Sequence, residues 1–235
     1  APWRDLPAEF GPWSTPWDFF DKWTKDGTFD RVLRRLRSNA ISDRTGRDDL
    51  WCIDGTSIRA ARCSSGGGKK QSSLEPVDHA LGRSRGGFGS KIHILCDSKG
   101  LPLHFALSAG QIHDSKVFQE VLDGADYELY SDSGQVLPWP FALAGDKGYR
   151  ADYIDDLIVE AGMKPVIPSK RGENRDSRPV VFDKTAYKRR SIVECPIGWL
   201  KESRRICTRF EKTAINFGGM VKLAFIHRFL RLSES

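Results

Sequence analysis

The chain has 235 residues, 39% of them apolar, and a formal net charge of +6; it is long enough to bury one good core and at most a small second unit. No run of about 18 apolar residues occurs, and Ala1-Pro-Trp-Arg-Asp5 lacks the basic-then-apolar layout of a secretory signal, so neither a membrane-spanning helix nor export is expected. The five cysteines (Cys52, Cys63, Cys96, Cys195 and Cys207) are scattered without a Cys-x2-Cys pair, which points to reduced thiols in a cytosol and away from a zinc site.

In chain order, the first 48 residues read as helical. Pro16 to Lys25 and Thr28 to Ser38 carry Trp17, Phe20, Trp23, Phe29, Val32, Leu33 and Leu36 at helical spacing, separated by Asp26-Gly27. A strand then runs from Asp49 to Asp54, where Asp-Gly marks an expected end. Cys63 to Ser90 is Gly/Ser-rich and reads as a loop, with Arg83, Arg85 and Lys91 placed to touch phosphates. Within it, Gly66-Gly-Gly-Lys-Lys70 has the wrong spacing for a nucleotide phosphate loop.

Strands follow at Lys91 to Cys96 and Leu101 to Ser108, joined by the turn Asp97-Ser-Lys-Gly100. A helix is expected from Ser115 to Leu122, with Asp114 as its cap rather than a general base or metal ligand. The segment Trp139-Pro-Phe-Ala-Leu-Ala-Gly reads as a strand leading to Asp146. Next come a helix from Ala151 to Ala161, a strand from Lys164 to Ile167 and a polar insert from Ser169 to Asp183 lying over the site. Trp139 and Trp199 are expected to be buried rather than stacked on bases. The pattern by itself gives a mixed α/β class.

Three acids stand out by position. Asp54 and Asp146 each end an apolar run beside glycine, which permits a turn and the close approach of a ligand. Either alone is most simply a turn residue. The third, Glu194, sits in a run that places Tyr187, Arg190, Glu194 and Lys201 at spacings of 3, 4 and 7, near one face of a helix of about 3.6 residues per turn. An amphipathic surface helix would look the same, but three acids from separate segments can converge on divalent ions. Charge supports a polyanion there: residues 51 to 162 hold 11 Lys or Arg against 15 Asp or Glu, whereas residues 163 to 213 hold 14 against 6.

With these residues in view, the chain resembles the DDE transposases of bacterial insertion sequences, of the insertion-sequence family 5 type. That family's third motif, Tyr-x2-Arg-x3-Glu-x6-Lys, is filled by Tyr187, Arg190, Glu194 and Lys201, its second by Asp146, Gly148 and Tyr149, and its first by Asp54, Gly55 and Thr56. Gly82 to Gly87 leading to Lys91-Ile-His93, and Ala109 to Ser115, also look like family sequence, so the likeness runs from about residue 2 to residue 232.

The resemblance implies a ribonuclease H-like mixed-sheet α/β catalytic core over residues 49–235, preceded at 1–48 by a short helical segment that is part of a DNA-binding region. It implies Asp54, Asp146 and Glu194 as catalytic residues holding two Mg2+ or Mn2+ ions, with Tyr187, Arg190 and Lys201 on DNA. The implied partners are the terminal inverted repeats of the chain's own element and target DNA, with a homodimer in the synaptic complex; no membrane is involved, and the setting is the bacterial cytoplasm and nucleoid. Pro196 departs from an ordinary helix interior, and either breaks the helix after Glu194 or sits in the first turn of one that starts near Cys195. A DNA-binding remnant without activity and a stand-alone nuclease are the alternatives.

Overall fold

A computed structural model describes residues 2–42, 49–67, 73–128, 138–174, 178 and 180–233. Two N-terminal helices, α1 (Ser14–Lys25) and α2 (Thr28–Ser42), precede strand β1 (Leu50–Ala60). Then come β2 (Gly82–Ser84), β3 (Gly87–Cys96), β4 (Pro102–Ala109), α3 (Phe118–Glu128), β5 (Ala142–Ala144), α4 (Asp152–Glu160) and β6 (Lys164–Val166). The chain ends with α5 (Lys184–Arg189), α6 (Glu194–Glu202), the short α7 (Arg204–Cys207), β7 (Thr208–Arg209) and α8 (Ala214–Ser233). Residues 68–70 of the glycine run fall outside the described residues, as do 175–177 and 179 of the insert.

The sheet centres on β1. It runs β4-β3-β1-β5-β6, with β3 antiparallel to β1 and β4 antiparallel to β3, while β5 is parallel to β1 and β6 parallel to β5. A hairpin followed by parallel crossovers is the ribonuclease H-like order expected above. The short β2 extends the far side of β3, and β7 pairs with the C-terminal end of β1. In the β3–β4 turn, Asp97 Oδ1 accepts from the amides of Lys99 and Leu101, both at 2.8 Å, and Gly100 takes a φ of +79° that favours glycine.

One expectation is corrected here. Asp54 does not end its strand: β1 continues six residues further, to Ala60, with Asp54 opposite Ile94 and Gly55 opposite His93 on β3. Continuous antiparallel pairing with β3 from Cys52 to Arg59 outweighs the local turn preference of Asp-Gly.

Side chains alternate across β1. Trp51 and Ile53 join the main core, built with Phe118, Val121, Phe217, Val221 and Phe225. Leu50 and Cys52 face a second cluster with Cys96, Ala144, Val166 and Val193. The second face is covered by a continuous turn of chain in which α5 and α6 are joined by a 3-10 turn at Arg190–Val193. Asp54 has the parity of Cys52, so it faces this motif-bearing segment.

The N-terminal helices are not a separate unit. Phe20, Phe29 and Leu33 belong to the same core cluster as α8, Lys222 pairs with Asp30 at 2.5 Å, and a Cβ on Gly219 would meet Thr24 Oγ1 at 2.4 Å. Helix α8 was not among the expected elements, although its apolar residues recur at helical spacing. Phe217, Met220, Val221, Phe225, Ile226 and Phe229 are all buried, and Gly218-Gly219 lowers the helical propensity of the segment.

Candidate active site

Strand register brings the first two acids together. Cys52 on β1 pairs with Ala144, the last residue of β5, so Asp54, two residues further along β1, and Asp146, two residues past the end of β5, come close enough for the Asp54 charge to act on Asp146. Asp54 Oδ1 accepts from the Gly55 amide at 2.8 Å, and Oδ2 accepts from Arg190 Nη1 at 2.8 Å. Asp146 Oδ1 accepts from the Gly148 amide at 2.8 Å and caps a 3-10 turn, Lys147–Tyr149. Burial raises the Asp146 pKa above the usual carboxylate range, and the charges of Asp54 and Asp114 add to it against the Gly148 hydrogen bond.

A buried network lies behind the pair. Tyr149, fully buried, places its hydroxyl 3.0 Å from His93 Nδ1, and His93 Nε2 meets Ser108 Oγ at 2.8 Å. Burial pushes the His93 pKa down to about 4 despite the Asp114 charge nearby, so the ring is neutral at physiological pH.

Glu194 stands apart. Its side chain is 67% exposed, and its nearest cation is Arg190 Nη2 at 3.9 Å. It opens onto a cavity of about 1040 Å³ whose lining includes Leu36, Gly100, Trp199 and Phe229. The cause is local: the run from Tyr187 to Lys201 is not one helix but two, and the 3-10 turn between them winds at three residues per turn. Pro196 is buried in the first turn of α6, where an amide has no intrahelical partner to lose. Of the two arrangements open for this proline, the structure takes the second.

The remaining motif residues divide. Arg190 packs its guanidinium 5.8 Å from the Tyr187 ring while it serves Asp54, so it binds a carboxylate where a phosphate contact was expected. Tyr187 lines a cavity of about 1020 Å³ with Lys147, Lys184 and Phe182. Lys201 is exposed on α6, and Arg83 and Arg85 are exposed at the sheet edge. Lys91 is engaged: its Nζ donates to Asp114 Oδ1 at 2.9 Å and to the Ile112 carbonyl at 2.8 Å.

Asp114 is not the helix cap that its position suggested. His113 takes that place, its Nδ1 accepting from the Ser115 amide, and leaves the Asp114 carboxylate turned toward the site. The sequence carried only its neighbourhood, the His113-Asp114-Ser115 run. Trp139 packs 5.3 Å from Trp51, and Arg228 covers Trp199 at 4.8 Å, so both tryptophans pack on the core but are half-buried rather than buried as expected. The insert is anchored beside the larger site by Arg178, which forks onto Asp155 at 2.8 and 3.0 Å and donates to the Ile167 carbonyl.

Among the described residues, no three acids, histidines or cysteines are gathered closely enough to hold an ion as they stand. A Cβ on Gly148 would stand 2.8 Å from Asp146 Oδ1 and 2.9 Å from Asp114 Oδ2, so the close approach of these two carboxylates requires the glycine; their hard oxygen donors are of the kind that suit Mg2+ or Mn2+.

The model of a family described as transposase DDE domain matches residues 45–228. A second, for transposases of the IS4/5 family, matches residues 1–33. The chain is 28% identical over 66% of its length to a transposase assigned to insertion sequence element IS402 of Burkholderia cepacia, covering 67% of that protein. It is 32% identical over 60% of its length to one assigned to insertion sequence element IS6501 of Brucella ovis, covering 98% of it. Against the crystal structure of a pre-cleavage Mos1 transpososome it is 13% identical, over 88% of this chain and 64% of that one. The TM-score of 0.32 adds no weight to the strand order.

Proposed function

This chain belongs to the transposase DDE domain family, and on that premise we propose that it cuts DNA strands at the ends of its own insertion sequence and joins the freed 3′ hydroxyls to target DNA. The observation that carries the reading is the approach of Asp54 on β1 and Asp146 just past the end of the parallel strand β5, with the motif residue Arg190 bound to the first. Asp54 and Asp146 would hold divalent ions, two Mg2+ or Mn2+ in the full reaction, which when bound would supply Lewis-acid polarisation of the phosphodiester and an activated oxygen nucleophile.

The chain's own residues do the rest. Arg190 aims the Asp54 carboxylate; Tyr149 and neutral His93 brace the turn that carries Asp146. Lys201, Arg83 and Arg85 are exposed and meet phosphates, joined by the basic excess of residues 163 to 213. Glu194 completes the family's acid set only by leaving its contact with Arg190. Two DNA ends are brought together by two copies of the chain. Among the described residues no helix is long and apolar enough to cross a membrane, and the work belongs to the bacterial nucleoid.

Labelled DNA carrying the element's ends, incubated with the chain and Mg2+ or Mn2+, tests the proposal beside Asp146→Ala and Glu194→Ala. Metal-dependent cleavage and joining in the wild type, absent from both variants, is expected. Cleavage that survives in Asp146→Ala removes the assignment. The outward placement of Glu194 is the one observation favouring a DNA-binding remnant, and binding without cleavage by all three proteins would establish that instead.

A further inference from the structure

We propose that the cleft between the Asp146 turn and the polar insert holds the sugar-phosphate backbone of a DNA strand, gripped by Lys147 and Lys184, and that Arg178 is the positioning residue that sets one wall of that cleft. This rests on the catalytic reading above and deepens it.

The cleft is the cavity of about 1020 Å³ to which Lys147 and Lys184 both contribute. Lys147 directly follows Asp146, inside the 3-10 turn which that aspartate caps, so the lining begins one residue from the acid. Lys184 opens α5, where the insert ends. Both lysines are exposed, and among the described residues neither pairs with an acid. Asp183, the acid next to Lys184, is spent on capping α5 and on Lys164 at 3.5 Å. The same lining carries Val181, 86% exposed, and Phe182, whose ring lies 5.3 Å from that of Tyr187. Unpaired cations beside exposed apolar side chains suit a ligand that alternates charged phosphates with apolar sugar faces.

Arg178 lines this cavity too, yet it has nothing left to offer a phosphate. Its Nε and Nη2 donate to Asp155 at 2.8 to 3.0 Å, and its Nη1 donates to the Ile167 carbonyl at 2.7 Å and to Ser169 Oγ at 3.2 Å, so every nitrogen of the guanidinium is committed. Through Asp155 it joins two parts of the chain. Arg150, which ends the Asp146 turn, places its Nη1 3.5 Å from the same carboxylate and pairs with Glu173 of the insert. The side chains of Arg150, Asp155 and Arg178 are at most 5% exposed. A buried fork fixes direction as well as distance, so the run from Val180 to Lys184 is held at a set spacing from Lys147.

The test is binding of labelled DNA carrying the element's ends, in EDTA so that no strand is cut, with affinity followed against salt concentration. Lys147→Ala and Lys184→Ala are each expected to weaken binding by about three- to tenfold and to lower the slope of log affinity against log salt by about one. Arg178→Lys keeps its charge but cannot fork. It is expected to lower the slope by about one as well, and no further when combined with Lys184→Ala, because the contact it displaces is the one already lost. A merely structural part for Arg178 would reduce the melting temperature and leave the slope at the wild-type value, which overturns the positioning role. Unchanged slopes in the two lysine variants, whose side chains lie outside the core, overturn the whole inference even should Arg178→Lys fail to fold. If those variants bind as the wild type does and the wild type cuts the ends once Mg2+ is added, only this inference falls; if the wild type neither binds nor cuts them, the catalytic reading falls with it.

Discussion

Arg190 donates to Asp54 across 136 residues of sequence, Nη1 to Oδ2 at 2.8 Å, with only 17% and 22% of the two side chains exposed. The pair ties the motif-bearing segment to the central strand. The same guanidinium reaches Glu194 more loosely, Nη2 to Oε1 at 3.9 Å, with that side chain 67% exposed.

Arg190→Ala should therefore lose more than stability. Removing a charge-assisted hydrogen bond of this exposure costs roughly 1.5–3 kcal/mol, whereas loss of a positioned cation from a phosphoryl-transfer site typically lowers turnover by about 10²–10³-fold. Urea unfolding and strand-cleavage rates on the same preparation separate the two. A cleavage loss no larger than the fraction unfolded would confine Arg190 to a structural part.

Asp146 opposes folding at neutral pH. Its pKa is raised by burial and by neighbouring carboxylates, so the folded state holds that proton more tightly than the unfolded chain does, and stability falls as pH rises above the ordinary carboxylate value of about 3.9. Asp146→Asn keeps an oxygen for the Gly148 amide and removes the charge. Its melting temperature in EDTA should exceed the wild type's by roughly 1–3 °C at pH 7, with the gain disappearing near pH 4. An Asn variant less stable than wild type at pH 7 would contradict this.

His93 behaves in the opposite sense. Its folded pKa of about 4 lies below the unfolded value of about 6.5, so its contribution is fully present above pH 6.5 and is lost as pH falls toward 4, by up to about 3 kcal/mol. The urea midpoint of ion-free protein should drop between pH 7 and pH 4.5, and drop less in His93→Gln. Parallel curves for the two proteins would assign the acid sensitivity elsewhere.

The contact between α1 and α8 is tight at one point. A Cβ on Gly219 would lie 2.4 Å from Thr24 Oγ1 and 2.9 Å from Thr24 Cγ2, so Gly219→Ala should destabilise by about 1–3 kcal/mol through overpacking. Thr24 Oγ1 is buried without a hydrogen-bond partner among the described residues, so Thr24→Ala should be nearly neutral alone and should rescue Gly219→Ala. Equal unfolding midpoints for Gly219→Ala with and without Thr24→Ala would show that the helices do not meet there.

Much of the centre was legible because local chemistry reported it. Asp146 after an apolar run, the Asp97–Gly100 turn and the helices around Phe20 and Leu33 are each decided by neighbours within a few residues, so spacing and turn residues disclose them. Asp54 was found as an acid, but its strand was cut short. Asp-Gly is a turn signal only while nothing else competes, and here β3 pairs with β1 straight through it.

What the sequence determined by itself is therefore the set of chemical parts and their order: two aspartates beside glycines, a Tyr-Arg-Glu-Lys run, and a basic region around it. Tertiary structure alone decided how those parts face one another. Strand register brought Asp54 near Asp146, a 3-10 turn rotated Glu194 outward, and capping by His113 released Asp114 toward the site. Each outcome depends on the direction of a side chain in space. A shift of one residue in register, or of 0.6 residue per turn in helix winding, reverses it without changing composition or spacing.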